Sequence, residues 1–215
     1  MGWTQCISNN GGGGGSGWSK TLLASNSAQG STLSLSDDFH NYDLIEFVCK
    51  APESGTPSYG LTYRYLTTPD ILDSMFTYSN NTICLNIINT NYYVCYTKNS
   101  NTSFAQANNR SLICIAVNGY KYNGTIVKDT IYERQGIGGS DVAISSQDSL
   151  FDYDLILFST NTADNTETVI CTNPVYKGED YNPKLNRYNS AQNCTVSQNA
   201  ITSYRYFCVQ GLKFT

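Results

Sequence analysis

Apolar and polar residues alternate over short stretches of this chain, and clusters of Gly, Asn, Ser, Asp and Pro separate one stretch from the next. That period of two belongs to β-strands. Leu22-Leu23 and the alternating Leu33 and Leu35 predict two strands, parted by the polar turn Ser25 to Gly30. Leu44 to Cys49 is apolar almost throughout and predicts a strand buried on both faces. After a loop from Pro52 to Pro57, further strands are expected at Tyr59 to Leu66, Met75 to Tyr78, Thr82 to Ile88 and Tyr92 to Thr97, the last two forming a hairpin about Asn89-Thr90-Asn91. Leu112 to Val117 and Tyr120 to Tyr122 follow, with Asn118-Gly119 as a turn between them. The remaining strands are expected at Thr130 to Glu133, Val142 to Ser145, Leu155 to Ser159, Thr166 to Thr172, Tyr204 to Val209 and Leu212 to Phe214, with a long polar loop over 173–199. The periodicity predicts no long helix.

The pattern repeats. Tyr42-Asp43-Leu44-Ile45-Glu46-Phe47 returns as Tyr153-Asp154-Leu155-Ile156-Leu157-Phe158, 111 residues on, and the same offset sets Asp37 on Asp148 and Phe39 on Leu150. Val117-Asn118-Gly119-Tyr120-Lys121-Tyr122 returns as Val209-Gln210-Gly211-Leu212-Lys213-Phe214, 92 residues on. The offsets differ, so the second copy has a shorter middle. An all-β fold of two tandem antiparallel β-sandwich modules, jelly-roll-like, is therefore expected: module 1 over 18–124 and module 2 over 125–215. Ahead of them, residues 1–17 hold the run Gly11 to Gly15 and read as a flexible tether. Within that segment Trp3, Cys6 and Ile7 form a short apolar plug, the candidate anchor to a partner.

Composition narrows the function. The 215 residues include 17 Tyr against 13 Lys plus Arg, and only 14% are charged. Aromatic and hydroxyl-bearing residues suit a pleated, half-buried surface. A net charge of −4 argues against a protein that works by neutralising phosphates, so neither nucleic acid nor an anionic membrane is an expected partner. The opening Met1 to Ser8 has no basic start and no apolar run, which predicts synthesis in a cytoplasm.

Eight cysteines are present, most within apolar runs such as Phe47-Val48-Cys49 and Ile83-Cys84-Leu85, and they are expected as buried free thiols. Five Asn-x-Ser/Thr sequons, beginning at Asn80, Asn101, Asn109, Asn123 and Asn193, are what a chain this rich in Asn, Ser and Thr gives by chance. No Cys-x-x-Cys pair occurs, and no metal or cofactor is expected.

Catalytic chemistry finds little support. His40 is the only histidine, and Phe151 stands at its place in the second copy, which marks the position as structural. The recurring acids, Asp37, Asp38 and Asp43 and then Asp148, Asp152 and Asp154, lack the spacing of a calcium loop and are expected to accept backbone N–H bonds in turns. Tyr and Trp beside Asn, Ser and Gly give stiff contact area with adaptable hydrogen bonding. Tyr176, Tyr181 and Tyr188, in the long loop, are the candidate ligand-binding residues.

The run Trp18-Ser19-Lys20-Thr21-Leu22-Leu23-Ala24-Ser25, then Gly30 to Asp37 and Asn41-Tyr42-Asp43-Leu44-Ile45, resembles modules of bacteriophage virion proteins, especially fibre and receptor-binding proteins of phages of gut bacteria. Gln135-Gly136-Ile137-Gly138-Gly139 is a turn of the kind found in them. The resemblance covers the opening third of each module. It implies a non-enzymatic β-sandwich subunit of a virion that assembles as a homotrimer, is fixed to other virion proteins by its N-terminal segment and meets a host-surface glycan. The alternatives are a capsid-decorating protein, a glycan hydrolase or depolymerase using two unrecognised carboxylates, and a secreted adhesin with paired cysteines.

Overall fold

A computed structural model describes residues 17–26, 32–51, 61–87, 92–136, 138–161, 168–170, 174–178, 181–187 and 190–215. Trp3, Cys6, Ile7 and Tyr188 lie outside the described residues. The fold is mostly β, as expected, and built of antiparallel sheets.

In the first half, β1 (Trp18–Ser25) and β2 (Leu33–Ser34) precede a 3-10 turn at Phe39–Asn41, which delivers the chain into β3 (Leu44–Lys50). β4 (Thr62–Thr67) leads into helix α1 (Pro69–Tyr78), followed by β5 (Thr82–Asn86), β6 (Tyr93–Ser100), β7 (Ser103–Arg110) and β8 (Ile113–Tyr122). The second half opens with β9 (Ile126–Glu133) and β10 (Val142–Ser145), then a second 3-10 turn at Leu150–Asp152 and β11 (Leu155–Asn161). β12 (Thr168–Ile170), β13 (Val175–Tyr176), β14 (Lys184–Arg187), β15 (Ser190–Asn193), β16 (Ala200–Tyr204) and β17 (Tyr206–Phe214) complete it.

The strand orders carry the repeat further than the sequence echo did. One four-stranded sheet runs β1-β8-β3-β4, and within the nine-stranded sheet the same order recurs as β9-β17-β11-β12. β2 pairs with β7 just as β10 pairs with β16, each short strand lying ahead of a 3-10 turn. The register is shared too. Ile45 faces Gly119 and Phe47 faces Val117 across β3 and β8, while Ile156 faces Gly211 and Phe158 faces Val209 across β11 and β17. The two echoes found in sequence are thus the two partners of one strand pair, built twice. The halves share a sheet, because β5 pairs in parallel with β12, the one parallel pairing among the described strands.

Burial follows from this layering. β11 is buried along its whole length, with Leu155 and Leu157 in the core of the first half and Ile156 and Phe158 in that of the second. β3 is likewise buried through Cys49, as its apolar run predicts. Residues with this alternation and both faces covered read as continuous apolar runs.

Five expectations need correction. Met75 to Tyr78 is the end of α1, not a strand. Thr68 caps the helix by accepting the Ile71 N–H at 3.2 Å, Pro69 stands in the first turn, where its missing N–H costs nothing, and Ile71, Leu72, Met75 and Phe76 bury one face. Asn118-Gly119 is not a turn, since β8 runs through it, and Leu212 to Phe214 likewise belongs to a continuous β17. Gly119 serves a close approach instead: a β-carbon there would come within 2.5 Å of the Tyr42 ring. The polar stretch after residue 173 contains β13, β14 and β15. Finally, Cys84 and Cys95 form a disulfide, because they are direct partners across the β5–β6 hairpin with Cα atoms 4.1 Å apart. Cys49, Cys114, Cys194 and Cys208 are buried free thiols, as expected of them.

Candidate functional site

The repeated element is a turn that ends in Tyr-Asp and enters a central strand. In both copies the first residue of the 3-10 turn, Phe39 or Leu150, is fully buried and pins the turn to the core. The Tyr that follows, Tyr42 or Tyr153, lies flat against a glycine of the facing strand. The next residue is an Asp whose N–H donates to a carbonyl of that strand, Asp43 to Tyr120 and Asp154 to Leu212, each at 2.8 Å. Its carboxylate then accepts a backbone N–H further along, from Tyr122 at 2.9 Å and from Phe214 at 2.8 Å. These aspartates brace backbone, as predicted for the acidic turns.

The middle residue of each turn is exposed, and here the copies part. In copy one it is His40, stacked on Phe39 with ring centroids 4.0 Å apart. Its Nδ1 lies 2.7 Å from Asp38 Oδ1 and its Nε2 lies 2.7 Å from Asp73 Oδ2 on α1. Partial burial lowers the pKa of the imidazole, but the hydrogen bonds and charge of Asp73 and Asp38 outweigh it, so the net shift is upward. An imidazole set between two carboxylates donates to both only when protonated. Asp38 also accepts from the His40 N–H and from Asn101 Nδ2, and its pKa is lowered, its slight desolvation being outweighed by these bonds.

Asp73 extends the network into a cleft. Its other oxygen accepts from Lys98 Nζ at 3.1 Å, and that ammonium sits 5.1 Å from the centre of the Phe39 ring and 5.5 Å from that of Phe76. Asp73, Phe76, Thr77, Asn81, Lys98 and Asn99 line a cleft of about 280 Å³. Asn81 holds a positive φ of 60° at the end of α1, and its side-chain amide donates to the Lys98 carbonyl, tying one wall to the other.

In copy two it is Phe151, 37% exposed, with its ring 4.5 Å from that of Tyr181. The Tyr181 hydroxyl accepts from the Gly178 N–H, and the neighbouring Lys177 lies 3.7 Å from Asp154. Of the two described tyrosines singled out in the sequence, Tyr181 is half-buried against the core of the second half, with its ring beside the exposed Phe151. Tyr176 is buried and pairs with Leu155 in the sheet, so its side chain is core. Phe151 was not singled out. Its place opposite His40 in the repeat, an apolar residue at a polar turn, was the available signal.

Among the described residues no cluster of His, Cys, Asp and Glu could hold a metal ion. The cleft offers hydrogen-bond donors and acceptors beside an aromatic edge, and the Phe151–Tyr181 pair, its rings tilted by 49°, offers aromatic surface. Neither a protein-family model, nor a curated protein, nor a solved structure matches the chain.

Proposed function

We propose that this chain is a non-enzymatic structural subunit of a virion, fibre-like, joined to the particle through residues 1–17 and presenting two tandem β-sandwich modules that bind a host-surface glycan. The observation that carries the reading is the exposed position of the repeated turn, His40 in one copy and Phe151 in the other, held on the same scaffold of Tyr, Asp and Gly. A scaffold kept while its outward residue differs is what a pair of recognition surfaces requires. The groups at hand suit a sugar, since aromatic faces stack on the apolar side of a pyranose while amides, carboxylates and ammonium groups take its hydroxyls. Phe151 and Tyr181 supply the stacking face, and Asp73, Asn81, Lys98 and Asn99 line the polar cleft.

The test is binding of the purified chain to an array of bacterial surface glycans, with Phe151→Ala and Asp73→Asn beside it, and its mass in solution by light scattering. A trimer near three times 23.7 kDa whose glycan signal falls at least about tenfold on either substitution is the expected result. A monomer that binds no glycan would overturn it.

A further inference from the structure

A second pair of cysteines stands in the arrangement that bonds the first. Cys49 on β3 and Cys114 on β8 are direct partners across two antiparallel strands, as Cys84 and Cys95 are across β5 and β6. Side chains of directly opposed residues leave the same face of a sheet with their β-carbons about 4.5–5.5 Å apart, close to what a disulfide spans. Both thiols lie in the same core, neither is exposed, and the two are in hydrogen-bonding contact. The register shifts between Val48, which faces Ala116, and Cys49, which faces Cys114, so Ile115 is an extra residue in β8 and the irregularity beside the pair brings Cys114 rather than Ile115 opposite Cys49. Among the described residues, burial and Cys114 act on the Cys49 thiol, and no cation or histidine lowers its pKa as a catalytic thiolate would require.

We infer that Cys49 and Cys114 are a second cross-strand disulfide site, closed when the chain folds in the presence of a small-molecule disulfide and left open when it folds under reducing conditions. One protein thiolate attacks a sulfur of the small disulfide, whose S–S bond breaks to release one thiolate. The second protein thiolate then attacks the mixed disulfide at the protein sulfur and expels the other half. Two protein thiols are oxidised by two electrons, the small disulfide is reduced to two thiols, and the two protons pass to the departing sulfurs. Closure belongs to the stage at which β3 and β8 pair but the core is still open. Once the core shuts, burial pushes the Cys49 thiol well above its ordinary value and the thiolate that must attack is scarce. The bond would tie the two central strands of the four-stranded sheet and close a loop that contains β4, α1, the β5–β6 hairpin and β7.

The experiment refolds the full-length chain from denaturant in oxidised and reduced glutathione, alkylates remaining thiols and maps the linked peptides. The peptide holding Cys49 is expected joined to that holding Cys114 in the sample in which Cys84 is joined to Cys95. A chain already folded under reduction and then given the same redox buffer should form the Cys49–Cys114 link at least about tenfold more slowly. Oxidised refolded protein should have a folding equilibrium constant raised by about tenfold or more over the reduced form in a Cys84→Ser, Cys95→Ser background. That gain should vanish when Cys114→Ser is added. Cys49 and Cys114 both alkylated beside a complete Cys84–Cys95 bond would overturn the inference, as would either of them joined to a different cysteine.

Discussion

Gly211 lies so close to the ring of Tyr153 that a β-carbon on it would stand 2.5 Å from Cδ1, and Gly119 lies against Tyr42 at the same distance. Neither glycine has a left-handed backbone, so the requirement is purely one of space. The atoms in the way belong to a ring whose body is packed and cannot swing aside as the end of a flexible chain would. Gly211→Ala and Gly119→Ala should each destabilise the fold by about 1–3 kcal/mol, read from urea denaturation. Combining Gly211→Ala with Tyr153→Leu should cost less than the sum of the two single changes, since the clash is with the ring. Strict additivity would show that the contact is not what makes glycine necessary there.

These contacts explain how much of the molecule was legible. Two echoes at different offsets were visible in the sequence, and they are the same strand pair built twice. What a sequence echo cannot carry is the pairing itself, so Asn118-Gly119 looked like a turn when its glycine is there to admit Tyr42. Helix α1 was hidden because its apolar residues and its one Tyr also fit a strand; its cap, Thr68-Pro69-Asp70, was the local cue. The Cys84–Cys95 bond was not expected, because cysteines inside apolar runs read as buried thiols and only the register of β5 on β6 sets these two opposite each other. The candidate site was less accessible. His40 and Asp38 are neighbours in the chain, but Asp73 and Lys98 reach them only through α1 and β6.

A buried carboxylate distinguishes the first copy from the second. Glu46 is fully buried and accepts from Arg64 Nη1 at 2.7 Å, Asn118 Nδ2 at 2.8 Å and the Tyr120 hydroxyl at 2.9 Å. The repeat places Leu157, Gln210 and Leu212 at the matching positions, and Gln210 accepts instead from the Thr68 hydroxyl at 2.6 Å. Asn118 is buried and its loss would leave the charge short of a donor, whereas Arg64 is half exposed and water can replace it. Asn118→Leu should therefore cost about 1.5–3 kcal/mol and Arg64→Ala no more than about 1 kcal/mol in denaturant unfolding. The opposite ranking would mean that the guanidinium, not the buried amide, holds the carboxylate.

The pH dependence of stability isolates His40. Its pKa is raised in the folded chain, because the hydrogen bonds to Asp73 and Asp38 outweigh partial burial. The group therefore adds stability that is fully present below the unfolded value of about 6.5 and is lost as pH rises through the higher folded value. Asp38 acts in the other direction: its pKa is lowered, so its contribution is present above an unfolded value of about 3.9 and is lost on acidification through the folded one. Between these limits the contributions of Asp38 and His40 are both present in full. Because the chain has one histidine, the difference in melting temperature between the parent and His40→Phe, which installs the residue of the second copy, reports this site and cancels the chain termini. The difference should be constant at mildly acidic pH and shift against the parent as pH passes upward through the folded value. A flat difference from mildly acidic to mildly alkaline pH would mean that His40 is not held between two charged carboxylates.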